Sequence, residues 1–276
     1  MALRINYNLA ASVAQRSLAT SQDAYSRQAE RLSTGLRINK AGDDAAGLAV
    51  SEKLKNQIRG LNQAQRNAQD GISLIQTAEG AFNETHTILS RMRELAVQSA
   101  NDTLTASDRA NLSTEFTHLY AEVERIANTT QFNTSPLLNS SGAATALTFQ
   151  IGANGGDTLV FTTGSARATS LEVTMSALTI TAQSVAASGI SSLDAAINVV
   201  SKNRADFGAL QNRLESTIRS LGVASENTSA ANSRIVDADI AASMSELVRT
   251  QILQQAGISV LAQANQAPSL ILSLLK

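Results

Sequence analysis

The chain has 276 residues and is almost neutral, with 22 Lys and Arg against 23 Asp and Glu, which leaves no basic footprint for nucleic acid. It contains no cysteine, so disulfides and thiolate metal sites are excluded. Aromatic residues make up only 3% and proline occurs twice; because proline breaks helical hydrogen bonding, this composition favours long uninterrupted helices.

The first predicted helix, within residues 1–34, has a thin apolar face. Leu18, Tyr25 and Leu32 lie seven residues apart, with small and polar residues predominating between them. A helix with so little apolar area is marginal in water on its own, so we expect it to need a partner. No basic stretch followed by an apolar run occurs here, so no cleaved secretory signal is predicted.

The second predicted helix is much longer and carries a seven-residue repeat. It follows a break at residues 33–42 and opens on Asp43 and Asp44, which suit a helix N-terminus. The repeat consists of Leu54, Leu61, Ala68, Ile75, Phe82, Leu89 and Ala96. A repeat sustained over this length predicts helices packed side by side, in a bundle or a coiled coil.

A shorter helix and a region rich in Ser, Thr, Gly and Asn come next. Thr105 and Asp108 form a capping-box pattern at the start of the helix. Residues 147–151 and 158–161 alternate apolar and polar side chains around a glycine-rich connection, which predicts a β-hairpin. Residues 171–182 also have a β-like composition.

The C-terminal part repeats the organisation of the N-terminal part in reverse order. Its long seven-residue repeat consists of Leu193, Val200, Phe207, Leu214, Leu221, Thr228 and Ile235. A break at residues 237–239 is followed by a thinly apolar helix that includes Ile240, Leu247 and Leu261. The longest apolar patch, at residues 270–275, is far too short to span a membrane.

These elements predict a mainly α fold. We expect a long antiparallel helical bundle or coiled coil built from both chain ends, with a small β-hairpin region in the middle. Neither terminal stretch has enough apolar area to hold an isolated helix, so both ends are expected to be assembly elements.

No catalytic, cofactor or metal site is predicted. His86 and His118 match no metal-ligand spacing. Residues 152–156 resemble a phosphate loop only in glycine content, because the lysine and the following helix of such a loop are missing. No nucleophile, base and orienting group can be nominated together, so a structural protein is favoured over an enzyme.

Several strings of residues in the N-terminal and C-terminal parts match sequence motifs of a known protein family, and together these motifs are highly specific to it. They are residues 31–39, 43–47, 66–73 and 93–101 in the N-terminal part, and residues 252–257 and 261–266 in the C-terminal part. Through these strings the chain resembles the bacterial flagellins. Only about residues 135–188 lack a fixed pattern, and that is where flagellins vary.

The resemblance implies a structural subunit that polymerises into the flagellar filament, the propeller of swimming bacteria. It implies that residues 1–34 and 237–276 pair in an inner tube, that residues 35–134 and 189–236 form a long-helix core, and that residues 135–188 form a short β-rich surface segment. It also implies type III export without a cleaved signal, an extracellular location, and an export chaperone, a filament cap and hook-junction proteins as partners.

Two kinds of surface site are implied by the same resemblance. A flagellin-recognising host Toll-like receptor would contact Arg91, Leu95, Gln98 and Glu115, whereas Ser90 stands where many recognised flagellins have Gln. Flagellins are often O-glycosylated in the variable segment. The hydroxyls available there are those of Thr162, Thr163, Ser165, Thr169, Ser170, Thr174 and Ser176.

Three alternatives to a filament subunit stay open at this point. A flagellar hook–filament junction protein has similar ends but does not polymerise indefinitely. A bacterial signalling coiled coil would be expected to carry a membrane span or a ligand module, and neither is visible in the sequence. An enzyme is the most distant alternative, because no catalytic group can be nominated.

Overall fold

The computed structural model describes residues 8–139, 145–168, 171 and 180–274. The described helices are α1 (Leu9–Thr34), α2 (Ala45–Ser99), α3 (Ala106–Thr129), α4 (Gln183–Val236) and α5 (Ile240–Leu274). The described strands are β1 (Gln131–Phe132), β2 (Ser135–Pro136), β3 (Thr145–Gln150) and β4 (Thr158–Thr163). The predicted mainly α fold with a small hairpin region is confirmed.

The chain forms two compact units. A terminal unit contains Met1–Gln57 and Asn227–Lys276, and a central unit contains Ile58–Glu226. The borders between the units lie inside α2 and α4, so both helices contribute residues to both units. The sequence predicts a different division, into residues 1–34 with 237–276, 35–134 with 189–236, and 135–188, and that three-segment division stays a prediction.

The core of the central unit follows the seven-residue repeats of α2 and α4. From Leu61 onward every repeat position in α2 is buried, and in α4 the repeat is buried from Leu193 to Leu221. Phe82 and Phe207 meet edge to face with ring centroids 5.3 Å apart. This geometry is favourable for aromatic pairs, and it confirms that the repeats mark the packing seams.

The predicted β-hairpin is confirmed as the antiparallel pair of β3 and β4, in which Leu147 is opposite Phe161. Phe161 attaches the hairpin to the core, because its ring lies 5.1 Å from that of Phe207 on α4. Gly71 on α2 allows close packing, since a Cβ atom there would lie 3.3 Å from the Phe149 ring. Most of the β-like stretch at 171–182 lies outside the described residues.

The capping box before α3 is also confirmed. Thr105 is the N-cap, its hydroxyl accepts from the backbone N–H of Asp108, and the Asp108 carboxylate accepts from the backbone N–H of Thr105. The Thr105 hydroxyl and backbone N–H both donate to this carboxylate and lower the pKa of Asp108. The sequence pattern alone therefore located the start of this helix.

Candidate assembly surface

The two terminal helices α1 and α5 pack against each other in antiparallel orientation. Near one end of the pair, the Asn8 side chain donates to the backbone carbonyl of Ala264 over 2.8 Å. Farther along, the Gln254 amide donates to the Gln22 side chain over 3.1 Å. At the other end, the Ala238 N–H donates to the carbonyl of Gly35 over 2.9 Å. The pairing thus joins the two ends of the chain along nearly the whole length of α1.

The contact seam of this pair has the alternating three- and four-residue spacing of a coiled coil. The seam residues of α1 are Ala11, Ala14, Leu18, Ser21, Tyr25, Gln28 and Leu32. Those of α5 are Ser243, Leu247, Thr250, Gln254, Gly257, Leu261 and Ala264. Most of them are small or polar, and among the described side chains of the two helices only Ala14 and Thr250 are buried. The seam therefore removes little apolar area from water.

Large apolar side chains of α5 lie outside this seam. We define the outward stripe as Ile240, Met244, Val248, Ile252 and Ile258, all of which are exposed. Successive steps of four residues advance about 40° around a helix, so the first four members form a slowly winding band. Ile258 lies five full turns from Ile240 and returns to the same angle.

Exposed apolar residues of α5 lie on both flanks of the seam, whereas the side opposite the seam carries polar residues such as Ser245 and Arg249. Leu253 and Val260 are also exposed, and they lie on the flank of the seam opposite the outward stripe. The helix α1 covers the seam and leaves these apolar side chains on its two flanks exposed.

The two segments that connect the terminal helices to α2 and α4 are held to each other. Arg37 donates its backbone N–H to the carbonyl of Val236 over 2.6 Å and its guanidinium to the carbonyl of Ile235. Gly35 takes a left-handed conformation with φ of 71° and ends α1. These bonds satisfy carbonyls that the C-terminal end of α4 leaves unpaired, so the chain direction changes at a defined place.

An acidic side chain orders the loop before α2. The Asp43 carboxylate accepts backbone N–H groups from Lys40 and Asn39, and these bonds lower the pKa of Asp43. Lys40 in turn forms an ion pair of 2.8 Å with Glu30 on α1. Of the two acidic residues expected at the helix N-terminus, Asp43 therefore orders the loop, whereas Asp44 accepts the backbone N–H of Gly47 over 2.8 Å at the start of α2.

The sequence-predicted assembly residues fall into two groups. Leu18, Tyr25, Leu32, Leu247 and Leu261 are half-buried in the seam within the chain, whereas Ile240 is exposed on the outward stripe. The spacing of seven does not separate the two groups, because Ile240 lies seven residues before Leu247 and yet is exposed. Met244, Val248 and Ile252 follow Ile240 at steps of four residues, which takes them away from the seam, and Ile258 lies 18 residues after Ile240.

The residues of the predicted receptor patch lie in the central unit. The Arg91 guanidinium donates to Glu115 over 2.9 and 3.0 Å and to Glu94 over 3.0 Å, and these bonds raise the pKa of Arg91. Arg91, Gln98 and Glu115 are exposed. Leu95 is completely buried in the core. The structure thus brings Arg91 and Glu115 together and places Leu95 beneath the surface.

The predicted glycosylation residues are only partly described. Thr162 and Thr163 lie in β4. Ser165 is half-buried, and its hydroxyl donates to the Leu138 carbonyl over 3.3 Å. The other four hydroxyl residues, Thr169, Ser170, Thr174 and Ser176, lie outside the described residues.

Neither a membrane span nor a metal site is found in the described part of the chain. None of the helices combines the length and apolar character that crossing a bilayer requires. Over the same residues, no group of three His, Asp or Glu side chains is placed to hold a metal ion.

Comparison with known proteins gives a consistent result over the whole chain. Residues 5–143 match the bacterial flagellin N-terminal helical region, and residues 190–275 match the bacterial flagellin C-terminal helical region. A flagellin of Halalkalibacterium halodurans is 51% identical over 272 residues, which cover 99% of each chain.

Solved structures show the same fold. The crystal structure of Bacillus cereus flagellin is 34% identical, with a TM-score of 0.50, and the match covers 56% of this chain and 88% of that one. A protein of Vibrio parahaemolyticus assigned as flagellar hook-associated has a TM-score of 0.62 over 71% of this chain and all of its own, but only 15% identity. That second likeness extends to the fold alone.

Proposed function

This chain belongs to the bacterial flagellin family and is a structural subunit of the flagellar filament, and we propose that its copies join through the outward stripe of α5. One observation carries this proposal: large apolar side chains of α5 stay exposed beside the seam, because the partner helix α1 covers only the seam itself. Exposed apolar bands of this kind mark protein contacts. The partner is a second copy of the same chain, since a filament is a homopolymer.

The size of the stripe indicates how many neighbours are required. Burying one large aliphatic side chain completely contributes about 1.5–3 kcal/mol, so five half-exposed side chains contribute on the order of 5 kcal/mol. Fixing one subunit in place costs about 4–15 kcal/mol. A single pairwise contact is therefore marginal, and the subunit becomes stable only when several neighbours surround its helices. A repeated contact that does not close on itself generates a filament.

We propose that the remaining partners and the location are those usual for the family. The subunit is exported through the flagellar type III apparatus with a chaperone, and it meets the filament cap and the hook-junction proteins outside the cell. It has no catalytic role. The thin seam between α1 and α5 supports this proposal, because it buries little apolar area and so keeps an unassembled chain easy to unfold and thread.

The assembly surface is tested by thiol labelling, since the chain has no native cysteine. In Val248→Cys, we expect maleimide labelling to slow by roughly tenfold or more when subunits polymerise, because thiol reactivity requires access. Val160→Cys is the matched control, because Val160 is an equally simple exposed valine on the hairpin. If the labelling rate at position 248 were the same in free subunits and in filaments, the outward stripe would not be the contact between copies.

We propose that the polar patch of Arg91, Gln98 and Glu115 contacts the flagellin-recognising Toll-like receptor. Leu95 takes part only by packing beneath these side chains. For Arg91→Ala, we expect the monomer to lose roughly tenfold in signalling potency, because a hydrogen-bonded charged group is lost. A reporter-cell assay measures this.

The control for the receptor prediction is Arg125→Ala. Arg125 is also exposed and forms an ion pair with Glu122 on the same helix. Replacing Arg125 by alanine should therefore change the free energy of unfolding about as much as replacing Arg91 does. Unchanged potency for Arg91→Ala, or an equal loss for both variants, would show that the patch is wrong.

We propose that hydroxyls of the variable segment carry O-linked glycans in native filaments. Residues near β4, including Ser165, lie in the segment that the family exposes to solvent. Intact-mass measurement of subunits from native filaments is expected to exceed the mass of the bare 29.0 kDa chain. A mass equal to that of the bare chain would refute the proposal.

A further inference from the structure

One methionine lies in the middle of the outward stripe. Met244 is 48% exposed, and the residues one helical turn away on either side, Ile240 and Val248, are exposed as well. Met92, the other methionine among the described residues, is completely buried in the central core. Met1 and Met175 lie outside the described residues. The chain therefore has one exposed thioether on the surface proposed for assembly. The buried thioether of Met92 allows the oxidation of exposed and buried sulfur to be compared within one molecule.

We propose that Met244 is an oxidation site through which hydroperoxides block assembly of free subunits. This inference rests on the proposed function, because it requires the outward stripe to be the contact between copies. It adds to that function a covalent modification: Met244 in the stripe is oxidised before assembly, and the oxidised subunit cannot join the filament.

The reaction balances with a hydroperoxide as the only co-reactant. The thioether sulfur of Met244 attacks one oxygen of hydrogen peroxide, an S–O bond forms and the O–O bond breaks. Sulfur is oxidised by two electrons to the sulfoxide, and the peroxide is reduced to water after proton transfer. No metal or cofactor is needed, and methionine sulfoxide reductases reverse this modification.

The sulfoxide changes the stripe in the direction that opposes packing. Its oxygen is a polar acceptor, and burial of a polar group without a hydrogen bond is costly. Ile240 and Val248, the stripe neighbours of Met244, have no side-chain donors. A second copy that covers the stripe would remove water from the sulfoxide oxygen. Ile240 and Val248 could not replace the hydrogen bonds that this water had donated.

Assembly also protects the same atom. Once a second copy covers the stripe, the Met244 sulfur loses contact with dissolved peroxide. Oxidation is therefore expected to act on subunits before they join the filament. Met92 is shielded by the core in both states and reports the background rate.

The test treats monomers and intact filaments with the same hydrogen peroxide concentration and maps sulfoxide by peptide mass spectrometry. In monomers, Met244 is expected to oxidise faster than Met92, and in filaments this advantage is lost. The critical concentration for seeded polymerisation of oxidised monomers is expected to rise about tenfold or more.

Two variants make the result specific. Met244→Leu keeps a similar apolar volume and is expected to polymerise normally both before and after peroxide treatment. Met92→Leu is the matched control and is expected to lose assembly after peroxide as the native chain does. Retained assembly by fully oxidised native chain would overturn the proposal, and so would equal loss in oxidised Met244→Leu.

The failure of this inference and of the proposed function can be told apart. If untreated Ile240→Ser with Val248→Ser polymerises normally, the stripe is not the contact and both proposals fail. If that variant fails to polymerise but oxidised native chain assembles normally, only the role of Met244 is refuted.

Discussion

A chain trimmed of residues 1–34 and 237–276 is expected to remain folded and to form no filaments. The buried core cluster of the central unit extends from Ala68 to Leu214, so the trimming leaves all of it in place. The terminal helices contribute only two buried side chains among those described, and their loss costs the core little. Without α5, however, the outward stripe is gone and copies have no surface through which to join.

Circular dichroism and sedimentation measure the two halves of this prediction. The trimmed chain should show a cooperative thermal transition and should stay in the supernatant under conditions that pellet full-length filaments. The full-length chain, mixed with filament seeds, is the control. Normal filaments from the trimmed chain would contradict the prediction, and an unfolded trimmed chain would contradict the independence of the core.

The same reasoning predicts that the ends are less stable than the centre in free subunits. Isolated helices with thin seams are marginal because nucleation is costly, and little apolar area offsets the entropy of ordering. Amide exchange on monomers should therefore be fast in α1 and α5 and slow in the buried parts of α2 and α4. Coupling the folding of the ends to assembly also opposes premature polymerisation.

Polar substitutions on the outward stripe are expected to weaken polymerisation strongly. For the double variant Val248→Ser with Ile252→Ser, loss of two half-exposed aliphatic side chains removes about 2–3 kcal/mol of contact energy. The critical concentration should then rise by roughly thirtyfold to a hundredfold. Serine, valine and isoleucine have similar helix propensities, so the change acts mainly on the contact and not on α5 itself.

The matched control for the stripe variant is Val160→Ser. This residue is 60% exposed on β4, and the same chemical change there should leave the critical concentration within about twofold, since exposed substitutions usually cost little. Light scattering of seeded polymerisation measures both variants. An unchanged critical concentration for the double variant, or an equal change at Val160, would show that the stripe is not the contact.

The sequence was sufficient to predict the parts of the fold in which pattern and packing agree. The seven-residue repeat in α2 marks residues such as Phe82 and Leu89 that are buried in the core. The capping box at Thr105 marks the start of α3. In these elements the sequence pattern allows only one arrangement, because a long apolar repeat is stable only when its residues are buried.

The C-terminal helix could not be predicted to the same depth. In α5 several seam positions hold small or polar residues such as Ser243 and Gly257, whereas large apolar residues such as Ile252 lie outside the seam. When large apolar residues lie beside the seam as well as in it, periodicity no longer identifies which side faces the partner within the chain. The seam was resolved only when the antiparallel contacts with α1 were known.

Long-range ion pairs were also beyond the sequence. Arg91 meets Glu115 across 24 residues, and Arg93 meets Asp194 across 101 residues with a separation of 2.6 Å. No local rule predicts such a pairing, because it depends on how three helices are placed side by side. The receptor patch suggested by resemblance therefore mixed exposed residues with the buried Leu95.

The most direct test of the central claim is a helical reconstruction of filaments by electron cryomicroscopy. The claim is that the outward stripe of α5 is covered by other copies of the chain. The reconstruction should show Ile240, Met244, Val248, Ile252 and Ile258 packed against helices of neighbouring subunits. A filament in which these side chains face solvent or only the same chain's α1 would contradict the claim.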